Sequence, residues 1–486
     1  MAIADIHAKP ARFSGEASSE DNGRLVAGLI GAWMVIQPWL IGGVFWWSEA
    51  LDTLIGAAAL AMAMRSAENR RVLWRFPGFW LGLLFCGYIL CQALNPWGYA
   101  VQRVPGVIMY DVYSLPHLNW LPSGLRTSYF APGTWRTLVY WLGPWLLVSA
   151  WWAAVRRRRT GRRLALAAFL NGVVMAAVVI IERFHPPSAI LWFYTSPNLN
   201  LGQMHYGSFV DHNKTAAFLY LAMGAGFAVA SHLQERARER GRDNGLTWVA
   251  LFGCMVILAS FFSLGSRAGL AVACGVFLGG LGLLLGAALV AHDRSPGLWM
   301  GSLLLMGAVA GWGLFEFYNR DSGTLFRIKY LAEHPEEDTR ALLRRETSRM
   351  IATHPWLGWG GGTYRYVSPN FFIEDYVFVD SRYDGGLSQR ADWAHSDWLQ
   401  LPMEFGFIGA GLLLAILLYL YGRGLWLARR LGAEGLAVLL ACAGMLAHAT
   451  VDFPSYNLAV LLIFSLLLVS TVKTGELAAR RETKRD

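Results

Sequence analysis

Apolar runs of about 18–22 residues recur almost end to end along this chain, each long enough to cross the hydrocarbon core of a bilayer as a helix. Twelve lie near residues 25–46, 50–65, 77–94, 135–155, 164–182, 213–231, 247–264, 268–290, 298–316, 398–421, 433–451 and 455–472. In lipid a backbone must satisfy its own polar groups, which only helices and closed barrels do, so runs of this length are helical. The expectation is an all-α polytopic membrane protein of about twelve transmembrane helices. The second run is short and ends at Arg65. Composition agrees: 55% of the 486 residues are hydrophobic and 15% charged, whereas a soluble chain of this length would divide into several domains.

Basic residues set the orientation. Arg70, Arg71 and Arg75 follow the second run, and Arg156 to Arg159 with Arg162 and Arg163 follow the fourth. Arg236, Arg238, Arg240 and Arg242 follow the sixth, and Arg423, Arg429 and Arg430 the tenth. If the helices alternate, all fall on one face, which the positive-inside tendency makes cytoplasmic. Residues 1–23, which lack a cleavable signal pattern, and 473–486 are expected as cytoplasmic tails. Between them come nine helices over 24–316 with outer loops near 95–134 and 183–212, a large outer loop over 317–397, and three more helices over 398–472. The net charge of +9 follows from this topology. It makes no case for nucleic acid, and a tract such as RRRRTGRR at a membrane edge faces anionic lipid. All five cysteines lie inside apolar runs without metal spacing, as small core residues do.

The outer face gathers the residues with chemistry in them. His395, in AHSDWLQ, stands where a long polar stretch enters the tenth run. Its ordinary pKa of about 6.5 suits a general base, and a structural bond to a loop carbonyl is the alternative. Asp397 and Gln400 have capping-box spacing, which accounts for both without chemistry. Arg267, in LGSRAG with almost no loop around it, either snorkels to the headgroups or turns inward to grip a phosphate. Over Thr339–Tyr364, Leu343, Thr347, Met350 and Ile351 share one helical face, with Arg340, Arg344, Arg345 and Arg349 around the rest. That pattern fits a helix lying along the outer leaflet, its arginines on headgroups or on a substrate. The glycines at 358 and 360–362 form a weak anion-loop signal without the P-loop lysine. Glu404, within the tenth run, needs a partner, for which Arg267 or Arg340 is expected. Asp211, His212, Asn213 and Lys214 open the sixth run as caps or as site residues. His448 and Asp452, one turn apart, either bond each other or line the acceptor's path.

Together these form an ordered set: SRxG after a spanning helix, Arg340 fourteen residues before HPxLGxGxG, then HSDWLQ, ExGxxG at Glu404–Gly409, and VDFP at Val451. The set resembles the O-antigen ligase and polymerase family of bacterial envelope glycosyltransferases, over roughly Gly207–Pro454. The resemblance implies a GT-C-like fold in the inner membrane, its active site opening to the periplasm beneath the large loop between the ninth and tenth helices. It implies an undecaprenyl-diphosphate-linked glycan donor and an inverting reaction that uses no metal or other cofactor. By position, Arg267 and Arg340 would bind the diphosphate and His395 would be the catalytic base. Asn213, Lys214, Arg344, Glu404, His448 and Asp452 would support them. Relatives often read Asn-Arg-Asn where this chain has Asp211, His212 and Asn213, so a cation is lost there or replaced by Lys214.

Chemistry reaches the same place. A sugar–diphosphate bond already has a good leaving group, so the protein must stabilise charge on the diphosphate and deprotonate an attacking hydroxyl. The acceptor is open between lipid A–core, a second lipid-linked glycan and a protein hydroxyl. The rival from another class is a lipid-linked glycan transporter, which repeated halves and midplane charges would mark; neither pattern stands out here.

Overall fold

The computed structural model describes residues 14–102, 110–116, 118, 120–127, 133–195, 206–241, 245–291, 301, 307, 310–311, 340–371 and 391–482. Among these, eight helices are long and apolar enough to cross a membrane: α4 (Pro77–Leu94), α6 (Arg158–Phe184), α7 (His212–Glu239), α8 (Gly245–Leu264), α9 (Arg267–Val290), α11 (Asp397–Ala428), α12 (Arg430–His448) and α13 (Leu458–Glu482). Each coincides with an expected run. The ninth run, near 298–316, lies outside the described residues apart from single positions, as do 317–339 and 372–390 of the large loop.

The remaining runs are helical with shifted ends. α1 (Ser14–Ile36) takes up residues 14–23, expected as a flexible tail, and stops ten residues short of the run's expected end at 46. Pro38 and the left-handed Gly42 and Gly43 turn the chain through two short 3₁₀ segments there. α2 (Trp46–Met64) begins earlier than expected and bends by 115° into α3 (Ala67–Trp74), whose first turn Ser66 caps through Asn69 N–H. α5 (Thr134–Ala154) packs on α2.

The all-α expectation fails in one place. The outer loop after α4 folds into a three-stranded sheet of β1 (Pro96–Gln102), β2 (Tyr110–Ser114) and β3 (Gly124–Thr127), in the order β2-β1-β3. β2 runs antiparallel to β1 in a register that places Tyr99 opposite Tyr113, their rings stacked at 5.0 Å. Cross-strand aromatic pairs of this kind hold small sheets together.

α7 and α13 form the middle of the bundle, with 78% and 94% of their apolar windows buried. α7 can be surrounded because its small residues admit neighbouring helices closely. A Cβ at Gly224 would come within 2.3 Å of Ala441 on α12, and one at Gly226 within 2.6 Å of Phe169 on α6.

On the side expected to be outer lies α10 (Arg340–Thr353), which buries Leu342, Leu343, Thr347 and Met350 against Tyr364, Ala394 and Met403. Its expected apolar face is thus turned into protein rather than lipid. The neighbouring Pro355–Gly360 segment mends a break in α11. Pro402 and the left-handed Gly406 (φ 63°) interrupt that helix. The freed carbonyls of Met403 and Glu404 accept from the N–H groups of Trp359 and Gly360 at 2.9 and 2.8 Å, while Phe407 N–H donates to Pro355 O at 2.7 Å. The glycine cluster therefore spends its N–H groups on the fold: Gly358 on His354 O and Gly361 on Gln92 Oε1. It is not the open anion loop considered from sequence.

Candidate active site

One buried carboxylate organises the end of the bundle that carries the sheet and α10, the end expected to be the outer one. Asp452 sits in the turn between α12 and α13, 1% exposed. Asp211 caps α7 by accepting from Asn213 N–H at 2.8 Å. That sets Lys214 in the first turn with its ammonium 2.6 Å from Asp452 Oδ1 and 3.2 Å from the centre of the Phe453 ring. Arg340, at the start of α10, brings a guanidinium nitrogen to 3.8 Å from Asp452 Oδ2. Burial alone would raise the pKa of this carboxyl, but Lys214 and the imidazoles of His448 and His395 outweigh it and hold it well below the usual carboxylate range.

His395 lies on the same turn through Phe453, whose ring meets the imidazole edge-on at 5.0 Å. Its backbone is left-handed (φ 50°), which is costly for a residue with a Cβ. Its buried Nδ1 has no hydrogen-bond partner among the described residues. Desolvation lowers its pKa first, and Lys214 and Arg340 push it down further against the pull of Asp452. At neutral pH the ring is thus an uncharged imidazole with an unused nitrogen.

Arg267 enters the same neighbourhood through the backbone. It is the first residue of α9, whose cap Ser266 accepts from Gly269 N–H at 3.1 Å and donates to Asn213 Oδ1 at 2.7 Å. The starts of α7 and α9 are thereby tied together, with Asn213, Lys214 and Arg267 on adjoining first turns. His448, at the end of α12, meets the Tyr220 hydroxyl of α7 at 3.2 Å through Nδ1. His448 and Asp452 do not bond each other by side chain as considered; Asp452 N–H instead donates to His448 O at 3.0 Å.

Glu404 does not partner Arg267 or Arg340: it accepts from the Tyr456 hydroxyl at 2.9 Å and Gln400 Nε2 at 3.3 Å. The break at Gly406 re-aims this turn of α11 toward the α13 junction. Nor do Asp397 and Gln400 form a capping box. Ser396 is the cap residue, Gln400 Oε1 reaches back to Ala394 N–H at 3.0 Å, and Asp397 Oδ2 accepts from Ser455 N–H at 3.0 Å. Two backbone carbonyls, Ala449 O and Asp452 O, receive Asp397 N–H at 2.9 and 3.1 Å, so this residue fastens the start of α11 to the Asp452 turn. Arg344 is half-buried on α10, one turn from Arg340. Arg345 and Arg349 flank the buried Glu346 at 2.8 and 2.9 Å.

Sequence reading missed Tyr220, which lies inside an apolar run and carries no local signal, and Trp393. Trp393 stacks on Phe453 at 4.9 Å and lines a cavity of about 290 Å³ with Glu49, Arg136, Tyr140, Arg365 and Tyr456. Arg136 and Glu49 face each other there through two hydrogen bonds of 2.8 and 2.7 Å. A tryptophan two residues from the candidate base was the available hint.

Residues 252–414 match the family model for O-antigen ligase, which supports assignment to that family. The matched segment includes Arg267, Arg340, His395 and Glu404, while Lys214, His448 and Asp452 lie outside it. No curated protein matches the chain.

Proposed function

We propose that this chain, assigned to the O-antigen ligase family, is a membrane glycosyltransferase that moves a glycan from an undecaprenyl diphosphate carrier to a hydroxyl acceptor at the periplasmic face. The observation that carries the reading is the convergence on Asp452. Lys214 and Arg340 meet at one buried carboxylate, with His395 against the same Phe453 ring and Arg267 on the adjoining helix start. Cations held this way in a partly dry site can take a diphosphate's charge without reorganising, which is where electrostatic catalysis is strongest. Arginine adds a planar fork matched to phosphate oxygens. Lys214 supplies the positive charge missing at His212.

In this reading the donor diphosphate lies across Arg267, Arg340 and Lys214. An acceptor hydroxyl attacks the anomeric carbon from the face opposite the diphosphate. His395 takes the hydroxyl proton as the new C–O bond forms, and the bond from C1 to the diphosphate oxygen breaks with both electrons leaving on undecaprenyl diphosphate. Back-side attack inverts the anomeric centre. Asp452 orients the two cations and does not touch the sugar. The cavity beside Trp393, with its aromatic walls and its Arg136–Glu49 pair, suits a saccharide acceptor, for which rings and paired polar groups are the usual recognition elements.

The test uses the full chain in nanodiscs with a diphosphate-linked oligosaccharide, following released undecaprenyl diphosphate and glycan length. Loss of turnover in His395→Ala and His395→Gln, with folding retained, is expected. Undiminished transfer in both would remove His395 as the base. Lengthening without another acceptor identifies a polymerase, and turnover that waits for added core lipid or protein identifies a ligase or protein glycosyltransferase. Flux of intact lipid-linked glycan with no bond broken would replace the enzyme reading by the transporter.

A further inference from the structure

The opposite end of α7 holds a cavity of about 740 Å³ between the starts of α6 and α8. Lys214 and His232 are separated by about 27 Å along α7 at about 1.5 Å per residue, close to the thickness of a bilayer's hydrocarbon core. The cavity therefore sits at the other membrane surface from Asp452. Its polar wall carries Arg159, Arg162 and Arg163 from α6 and Arg236 from α7. Arg162 is spoken for by Glu434 of α12, which accepts from its Nε at 2.8 Å and its Nη2 at 2.6 Å. Among the described residues no carboxylate pairs with Arg159, Arg163 or Arg236. His232 Nδ1, also in the wall, is buried without a hydrogen-bond partner.

The opposite wall is apolar and open sideways, through Leu166, Leu170, Leu246 and Val249, all exposed on the bundle's flank. His232, Glu235 and Glu434 lie close enough to share a metal ion. Arg162 occupies both Glu434 oxygens, however, and the surrounding arginines repel a cation. With Glu434 already held by Arg162, the remaining arginines of the polar wall suit an anion, and the apolar wall suits hydrocarbon.

We propose that this notch binds an anionic diacyl phospholipid of the phosphatidylglycerol type. Its phosphate would sit among Arg159, Arg163 and Arg236, with an acyl chain descending between α6 and α8 along Leu166 and Val249. The ligand needs both halves. A free phosphate satisfies the arginines but leaves the apolar wall bare, and a zwitterionic lipid brings its own cation to a wall that already has an excess of them. Arg162, fixed by Glu434, gives the wall its shape, while the unpaired arginines give it its charge.

The full-length protein, delipidated in detergent, is examined by native mass spectrometry with phosphatidylglycerol or with phosphatidylcholine of the same chains. Wild type is compared with Arg163→Gln/Arg236→Gln and with Arg71→Ala/Arg75→Ala, which removes as much charge from the same face away from the notch. Both notch arginines are exposed and unpaired, so their replacement leaves no buried group stranded, and thermal unfolding of each variant confirms its fold. Preferential retention of phosphatidylglycerol is expected, weakened by about tenfold or more in the notch variant and unchanged in the control. Equal retention of the two lipids would overturn the proposal. So would equal losses in both variants, which is general basic attraction, or displacement by inorganic phosphate alone, which is a simple anion site.

Discussion

At its first turn α7 presents Lys214 to a carboxylate sealed from solvent, and at its last turns it presents Arg236 to an open notch. Both ends are rich in cations. At the outer end Lys214 and Arg340, from segments far apart in the chain, meet at Asp452. At the inner end Arg162 pairs with Glu434, Arg156 with Glu68 and Arg423 with Glu476, each arginine with its own carboxylate. One-to-one pairs near water contribute little and organise little. Shared burial of one counterion is different: the carboxylate's desolvation is offset only while its cations stay in place, so the geometry is held tightly. A count of basic residues would rank the inner end higher; convergence on a buried acid singles out the outer one.

The sharpest way to break this contrast is to remove the shared counterion. Asp452→Ala leaves the buried Lys214 only the longer contact to Asp211 Oδ2 at 3.8 Å, and the loss expected for breaking a buried pair is about 3–5 kcal/mol. Denaturant unfolding in detergent should show it, and Lys214→Met/Asp452→Ala should recover part of it. A double-variant loss equal to the sum of the Lys214→Met and Asp452→Ala losses would mean that the pair is not coupled.

Smaller in energy, but larger in chemistry, is the titration of His395. Its pKa in the fold lies below the ordinary value of about 6.5, so the neutral, proton-accepting form dominates at pH 7. The transfer rate should rise with pH through a midpoint below that value and then stay flat through neutrality. Stability follows the same sign. The unfolded chain binds the proton more readily, so this residue's contribution is present above the unfolded pKa and is lost as pH falls from there through the lower folded pKa. A rate midpoint at or above the ordinary value would contradict the desolvated site.

The smallest effect belongs to an ordinary pair on α10. Arg345→Ala leaves Glu346 its second partner, Arg349, and should cost under about 1 kcal/mol with transfer unchanged. A loss of activity there would mean that the site extends along α10 beyond Arg340.

Much of this was legible in the chain. Among the described residues, eight runs of uniform apolar character became eight helices long and apolar enough to cross a membrane, because length and hydropathy are sufficient where the solvent is lipid. Ends and breaks were harder. Pro38 and Gly406 were visible, but their effect depends on what satisfies the freed backbone groups, and for Gly406 that is the Pro355–Gly360 segment from elsewhere in the chain. The sheet after α4 escaped notice because its short strands hide in an aromatic loop whose periodicity is weak. Glu404 was recognised as needing a partner, and the partner was misjudged, because the kink at Gly406 turns it toward Tyr456.

The sequence by itself determined the mostly helical, membrane-type class of the protein and the positions of the eight described helices long and apolar enough to cross a membrane, and it pointed to the residues with chemistry to offer. It could do so because hydropathy, charge and side-chain type are properties of single residues or short windows. The tertiary structure alone decided that Lys214 and Arg340 share Asp452, that His395 keeps an unused buried nitrogen, and that Glu404 meets Tyr456 and Gln400 rather than the arginines. Lys214 and Asp452 are 238 residues apart, and the energy of a buried charge depends on what is packed around it, which no local pattern encodes.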